Sequence, residues 1–541
     1  MNYKFQIIGG AKEIGGNMFL AMGPHENIVI DAGIQFPHDD AFGVNYLIPN
    51  FKLLPKITRL IITHGHEDHI GAVAHLKRLF PEIIIYAPRF AKCLAQKKLE
   101  RASLVATINE YTDGDQIDLP DFFIEPVRVN HSIPDTFGLV LLPKNTDTAL
   151  FYVSDFKYDE QSNFDPPIDL KKLSNYAKTK TQRILLADST NILSRTTKTE
   201  SETSLCESFE SIFSENFPRI ILTTFSSNIE RIKNIADCAR KQNRKAYVYG
   251  GSMFKYVNCA VESGLLQADD IKFLESKDQL GEPCVVIVSR CQGDFKGTFR
   301  RIAAGYDALF KPRVDDCFIL SSRSIPGNEK KISMTLNKIA EYGCTIITSQ
   351  ERHVHVSGHA GKEDLKKVYH AFNPTQLIPI HGEHYFLNKH QLFSFDELPS
   401  SKAKVQVNFD SFEIKNEELI FSKHVPTDDE RPILIHGNDI EIERDAIKQK
   451  RKIAENGIVL VNFRSEIVST KNYALPISIQ TLGLPAHLNS YHQHLVKNVI
   501  NVLKSTHKAS NDEIQAEVNS AVKTAINGIL GYKPVVVTHI L

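Results

Sequence analysis

Short apolar runs bounded by turn residues recur along the first 195 or so residues: "KFQIIGG", "NIVIDAG", "LIITHGH", "IIIYAP", "FFIEPVRVNHS", "ALFYVSD" and "ILLADST". Runs of this length, rich in Ile, Val and Phe, predict β-strands. Many end in a polar side chain: Asp31, His64, His131, Asp155 and Asp188. A strand end projects a side chain from a rigid base, so the pattern predicts functional groups there.

From about residue 200 to 345 the rhythm changes. "RIILTTF", "KAYVYGG", "CVVIVSR" and "CFILSS" alternate with helical stretches. In "IERIKNIADCARK" the residues Ile229, Ile232, Ile235 and Ala239 share one face, and Ser227 or Asn228 suits the N-cap. Strand–helix alternation predicts a parallel, Rossmann-like α/β unit. No GxGxxG follows its first strand, so a dinucleotide cofactor is not expected. Strand character returns between about 345 and 440 in "CTIITSQ", "LIPIHGEH", "KVQVNF" and "EELIFS". The polar "KHVPTDDERP" reads as a linker. The rest opens with the charged, helical "ERDAIKQKRKIAENG" and ends in the strand "KPVVVTHI", predicting a small α/β appendage.

Composition narrows the picture. A chain of 541 residues calls for several domains. Its 64 basic and 64 acidic residues cancel, so any attraction to a nucleic acid must come from a local basic surface. No two cysteines form CxxC, which excludes a zinc ribbon and a redox motif; reduced thiols in a cytoplasmic protein are expected. The opening "MNYKFQIIGG" has no signal-like segment, and no apolar run approaches about 18 residues, so no membrane span is expected.

The chemistry concentrates in "THGHEDHIGAV". The surrounding "RLIITHGHEDHIGAVAHLKRLF" reads as strand, loop and helix, with Ile70, Val73, Ala74 and Leu79 on the apolar face. His64, His66, Asp68 and His69 crowd into the loop and helix start. Imidazole and carboxylate suit zinc or manganese, and a two-metal site needs further ligands from elsewhere. His131 in "VNHSIPD", Asp155 in "YVSDFKYD" and His381 in "IPIHGEH" supply them. A lone His at a strand end is more often structural, but HxHxDH with three matching downstream sites is not an accidental pattern.

HxHxDH is the signature of the metallo-β-lactamase superfamily, and the chain resembles its β-CASP nucleases, bacterial ribonuclease J most of all. The resemblance runs through "GGAKEIGGN", "IDAG", "HGHEDHIGA", "VNHSIPD", "SDFKYD", "LADSTN", "TFSSNIERI", "IPGNEKK", "HVSGHAGKEDL" and "PIHGEH", in that order. It implies an α/β fold: a metallo-β-lactamase αββα sandwich with an inserted Rossmann-like β-CASP domain and a small C-terminal α/β domain. The implied parts are 1–197, the insertion 198–345, 346–440 closing the first domain, and 441–541.

The resemblance also implies roles. One metal is held by His64, His66 and His131, the other by Asp68, His69 and His381, and Asp155 bridges both. The expected cofactors are two divalent ions per subunit, zinc or else manganese. Asp31 orients a ligand histidine, and Asp188 supports the site or His359. The implied activity is a 5′-to-3′ exoribonuclease with endonuclease action, by two-metal hydroxide attack that leaves 5′-phosphate products. Asp68, Asp188 and His359 are its expected catalytic groups, with His359 as general acid. Ser227, Asn228, His355, Ser357 and Gly358 are the expected phosphate and RNA contacts. The expected substrate is single-stranded RNA with a 5′-monophosphate, the assembly a homodimer or homotetramer, and the location cytoplasmic, away from membranes. One departure stands out: in "VSRCQGDFKG", 288–297, Arg290, Cys291, Asp294 and Phe295 replace smaller or different family residues.

Two other classes compete. A small-molecule metallohydrolase of lactonase or thioesterase type would need neither the large insertion nor His359. A non-catalytic RNA-binding β-CASP subunit would be expected to lack ligands, and all seven ligand positions are filled here.

Overall fold

The computed structural model describes residues 2–37, 42–281, 283–289, 297–323, 328–506 and 509–541. Two compact units result: residues 1–38 with 46–433, and residues 434–541 with 39–45.

The larger unit holds two facing sheets. One has eight strands and begins its order with Glu418–Ser422, Ser411–Lys415, Asn2–Gly9 and Met18–Met22. It continues through Asn27–Ile30, Arg59–Ile61, Ile84–Ala87 and Ile108–Glu110. The other has seven, with Gln376–Ile380, Gln182–Asp188, Thr148–Tyr152, Thr136–Pro143 and Phe122–Val129 at its centre. Alternating apolar residues of both sheets meet in one core: Phe5, Phe19 and Phe412 from the first, Phe122, Phe137 and Tyr152 from the second. The Phe5 and Phe412 rings stack at 5.1 Å. Each fully buried ring contributes ~1.5–3 kcal/mol, so the sandwich is a stiff base for its edges.

Helices cover the outer faces. Leu170–Thr179 and Lys362–Phe372 pack on the seven-stranded sheet through Leu173, Tyr176, Leu365 and Phe372. Val73–Leu79 and Arg89–Arg101 flank the eight-stranded sheet. The result is a four-layer αββα sandwich.

The inserted section leaves the sandwich between two strands that lie side by side. Gln182–Asp188 pairs in parallel with Gln376–Ile380. Between them in sequence lies a six-stranded sheet, parallel at each pairing, built from Arg219–Thr223, Lys245–Tyr249, Cys284–Val288, Cys317–Leu320 and Thr345–Thr348 with Lys272–Phe273 at an edge. Arg219–Thr223, Cys284–Val288 and Cys317–Leu320 are buried along their length, as inner strands of a parallel sheet between helices require.

In the smaller unit Ile458–Phe463 pairs antiparallel with Ser478–Leu482 and parallel with Val535–Ile540. Val459, Val461 and Phe463 pack against Leu495 and Val499 of His492–Ser505 and Val518 and Val522 of Asn511–Leu530.

Three local expectations need correction. The ligand loop is followed by two short helices, Glu67–Ile70 and Val73–Leu79. The chain breaks at Gly71, where a side chain would strike Glu67 O and Ile34. Leu76 completes the buried face with Ile70, Val73 and Ala74, whereas Leu79 is 43% exposed at the helix end. "KVQVNF", 404–409, is not a strand: the pairing with Gln376 and Leu377 stops at the preceding Lys402–Ala403. Its end turns back, with Phe409 at φ 71 and Val407 N donating to Asp410 Oδ2. Arg290, Cys291, Asp294 and Phe295 of the 288–297 loop lie outside the described residues. Among the described residues no helix is long and apolar enough to cross a membrane.

Candidate metal centre

The site residues rise from one edge of the sandwich, at C-terminal strand ends. Asp31 follows Asn27–Ile30, His64 follows Arg59–Ile61, and His131 follows Phe122–Val129. Asp155 follows Thr148–Tyr152, Asp188 closes Gln182–Asp188, and His381 follows Gln376–Ile380. Asp31, Ser154 and His381 adopt left-handed backbone, with φ of 61°, 61° and 52°. Such residues cost ~1–3 kcal/mol unless the surroundings fix them, and here they turn side chains off the strand direction into the edge.

Two clusters form around one carboxylate. His64, His66, His131 and Asp155 place one potential ligand atom each within 4.8 Å of one another, and so do Asp68, His69, Asp155 and His381. In the first, His66 Nδ1 lies 3.1 Å from both His64 Nε2 and His131 Nε2. In the second, Asp155 Oδ2 lies 3.3 Å from His69 Nε2 and 3.4 Å from His381 Nε2, and Asp68 Oδ2 lies 3.3 Å from His381 Nε2.

The far side of each ring is engaged. His131 Nδ1 donates to Gly358 O at 2.7 Å, and His69 Nδ1 to Asp31 Oδ2 at 2.7 Å. His64 Nδ1 meets Thr63 Oγ1 at 3.0 Å, and His381 Nδ1 meets Thr190 Oγ1 at 2.8 Å. A ring that gives its proton outward keeps its inward nitrogen free as a ligand. Burial holds His64 and His131 well below the usual imidazole range and lowers His66 to about 4. Three neutral rings with converging lone pairs suit a cation. In the second cluster burial opposes charge, yet Asp155 and its neighbours raise His69 well up and His381 to about 9. Asp68 and Asp155 are lowered against their own burial by the facing histidines. Protons there balance carboxylates that a divalent ion would neutralise.

His359 borders this pair of clusters. With Asp155, Asp188 and His381 it makes a third convergent group. Its Nδ1 is 2.7 Å from Asp188 Oδ2, and its ring lies 4.9 Å from that of His131. Burial lowers its pKa, but Asp188 outweighs burial and raises it overall.

Three family models match the chain: the metallo-beta-lactamase superfamily at residues 11–141, the ribonuclease J beta-CASP domain at 218–339, and the Zn-dependent metallo-hydrolase RNA specificity domain at 349–392. A ribonuclease J from Helicobacter pylori strain B128 is 31% identical over 528 residues, spanning 94% of this chain and 74% of that one. The chain belongs to the ribonuclease J family.

A ribonuclease J 1 from Streptococcus pyogenes is 28% identical over 549 residues, 99% of this chain and 96% of that one. A crystal structure of a protein of unknown function from Enterococcus faecalis V583 shares the fold, with a TM-score of 0.53 at 14% identity, covering 78% of this chain and all of that one. The fold is therefore a metallo-β-lactamase sandwich with a β-CASP domain, and this ribonuclease J family member is a metal-dependent hydrolase of nuclease type. Its His and Asp clusters suit divalent metal.

The remaining expected contacts lie on the inserted section, Ser227 and Asn228, and on the segment that follows it, His355, Ser357 and Gly358. Ser227 Oγ lies 3.1 Å from His66 Nε2. Asn228, not Ser227, caps Ile229–Lys241, accepting from Arg231 N, while its amide donates to Glu202. His355 Nδ1 receives Arg231 Nη1, and burial keeps that ring neutral. Ser357 Oγ accepts from Asn191 and from His359 N. The Asn228 and His355 side chains thus belong to a buried network around Arg231, which also binds Glu202, Ser321 O and Val356 O.

Sequence reasoning missed several supports. Asn17 Nδ2 reaches Asp68 O, Asp68 Oδ2 and His69 Nε2. Thr63 donates to Asp31, and Thr190 joins Asp188 to His381. Gly33 leaves room for the ligand loop, since a Cβ there would lie 1.6 Å from Asp68 O. Asn17 and Thr190 sit inside the family motifs, the one signal that pointed to them. Arg231 lies inside "TFSSNIERI" and had the same signal, whereas Glu202 lies in none of these motifs and had none.

Proposed function

We propose that the protein is an RNA-cleaving metallohydrolase, a 5′-to-3′ exoribonuclease that also cuts internally. The observation that carries the reading is the pair of ligand clusters sharing Asp155, with the Asp188–His359 pair beside them. His64, His66 and His131 would hold one divalent ion, Asp68, His69 and His381 a second, and Asp155 both; zinc or manganese fits the donors. Such ions, when bound, supply activated water and neutralise charge at the phosphodiester.

The chain's own groups do the rest. Asp31 fixes the tautomer and aim of His69. Asp188 holds His359 by Nδ1, so Nε2 is the nitrogen that hands a proton to the leaving ribose 3′-oxygen. The phosphorus keeps the 5′-oxygen, and the product carries a 5′-phosphate. Ser227, Ser357 and the Gly358 backbone would receive the terminal phosphate, with Asn228 and His355 positioning that wall through Arg231. In this reading residues 198–345 form the inserted domain, residues 441–541 the appendage, and subunits pair as dimers or tetramers.

Two basic stretches, "KKLERAS" at 97–103 and "RRIAAGYDALFKPR" at 300–313, are candidates for RNA contact, but part of their charge is already paired: Lys97 with Glu262, Lys98 with Glu67, and Arg301 with Asp307. The deciding experiment uses one RNA labelled at its 5′ end, bearing a monophosphate or a triphosphate, with zinc or manganese. Release of labelled mononucleotide from the monophosphate form, abolished by His359→Ala, is expected. Internal fragments alone would remove the exonuclease reading, and no cleavage with either metal would favour a small-molecule hydrolase or an RNA-binding subunit.

A further inference from the structure

A second group of metal-binding side chains lies outside the histidine centre. Cys93 stands on the helix Arg89–Arg101, and Cys259 and Glu262 stand one turn apart on the helix Gly251–Glu262. The two sulfurs and a Glu262 oxygen all lie within 4.8 Å of one another. Cys93 Sγ donates to Glu262 Oε2 at 3.1 Å, while Lys97 Nζ donates to Glu262 Oε1 at 2.9 Å. Lys97 therefore holds the carboxylate with its other oxygen toward the sulfurs. Cys259 is buried, Cys93 half-buried and Glu262 exposed, so the group opens to solvent on one side.

We propose that Cys93, Cys259 and Glu262 form a binding site for a thiophilic divalent cation such as zinc, which ties the helix Arg89–Arg101 of the sandwich to the helix Gly251–Glu262 of the inserted section. Zinc binds sulfur at ~2.3 Å and carboxylate oxygen at ~2.0–2.2 Å, which sets ligand atoms roughly 3.5–3.8 Å apart in a tetrahedron. Side-chain rotation closes the remaining gap. Cysteines bind as thiolates, so each thiol gives its proton to solvent on binding. Three protein ligands leave a fourth position for water on the open side.

The placement gives the site a purpose. Leu94 and Ala91 of the first helix pack on Gly65 inside the HxHxDH loop, and Lys98 pairs with Glu67 there. Phe90 meets Tyr256 of the second helix at 6.5 Å. A cation at Cys93 would lock the inserted section against the wall of the histidine centre. Cys206 and Cys238 are also neighbours, both within the inserted section, but no metal-sized group includes them among the described residues.

The test is a titration of the reduced, full-length protein with cadmium, followed by the ultraviolet thiolate-to-cadmium charge-transfer absorption, which imidazole and carboxylate ligands do not give. At saturation the band should correspond to about one thiolate-bound cadmium per chain, beyond any ions the histidine centre takes up without a band, and Cys93→Ser or Cys259→Ser should each remove most of it while far-ultraviolet circular dichroism stays unchanged. Glu262→Gln, at an exposed position, should weaken cadmium binding at least about tenfold with the fold intact. No band at saturating cadmium, or a band undiminished in both cysteine variants, overturns the site. Cadmium affinity unchanged in Glu262→Gln overturns the assigned ligand set.

Discussion

Asp188 holds two histidines at once: its Oδ2 lies 2.7 Å from His359 Nδ1, and its Oδ1 accepts from the Thr190 hydroxyl that meets His381 Nδ1. Removing this carboxylate should misorient the proton donor. Asp188→Ala and His359→Ala should each lower kcat about 10²- to 10⁴-fold, with smaller changes in KM. The double variant should be little slower than the slower single one, because the two act as a unit. Single-turnover cleavage of labelled RNA measures all three.

Asp31 is fully buried, accepts from Thr63 and holds His69 Nδ1. Asp31→Ala should loosen His69 and weaken metal affinity about 10- to 100-fold. Competition against a coloured chelator reads the change directly, and wild-type circular dichroism would separate it from misfolding.

Arg231 and Glu202 are a buried ion pair beneath the wall of the proposed phosphate site, 2.8 Å apart. Arg231→Met leaves Glu202 charged and unpaired and should cost about 3–5 kcal/mol of stability. Adding Glu202→Leu should recover much of that loss. Urea unfolding of the two variants would show recovery, and equal instability would sink the account.

Glu230 is buried, and burial raises its pKa to about 7, against hydrogen bonds from Asn163 N and Ser162 Oγ. Its ordinary value is 4.5, so between these pH values the folded chain binds more proton than the unfolded one. The stability this group contributes is full below about 4.5 and is lost as pH rises through about 7. Thermal unfolding of Glu230→Gln should lack that decline, and the difference from wild type should widen as pH rises across the window.

Strand ends carrying Asp31, His64, His131, Asp155 and Asp188 were visible as apolar runs closed by a polar residue, since a strand buried on both faces keeps an apolar sequence. The parallel rhythm of the inserted section was visible for the same reason. What escaped was set by contacts distant in sequence. The break at Gly71 depends on Ile34, and the turn at Phe409 on Asp410 and the neighbouring Asn2–Gly9 strand. Asn228 was one of two possible caps: its side chain accepts from Arg231 N, whereas Ser227 turns toward His66. Motif matching pointed to His359, but its bond to Asp188 requires the chain to return past the insertion.

That return has a consequence for how the protein is made. Gln376–Ile380 completes the sheet beside Gln182–Asp188, and His381 follows it directly. Chains emerge from the ribosome N-terminus first. A nascent chain halted anywhere in the inserted section therefore carries the cluster of His64, His66, His131 and Asp155 but not the last residue of its neighbour. The second cluster is therefore completed only after the whole insertion has been made and the chain has returned to the sandwich at His381.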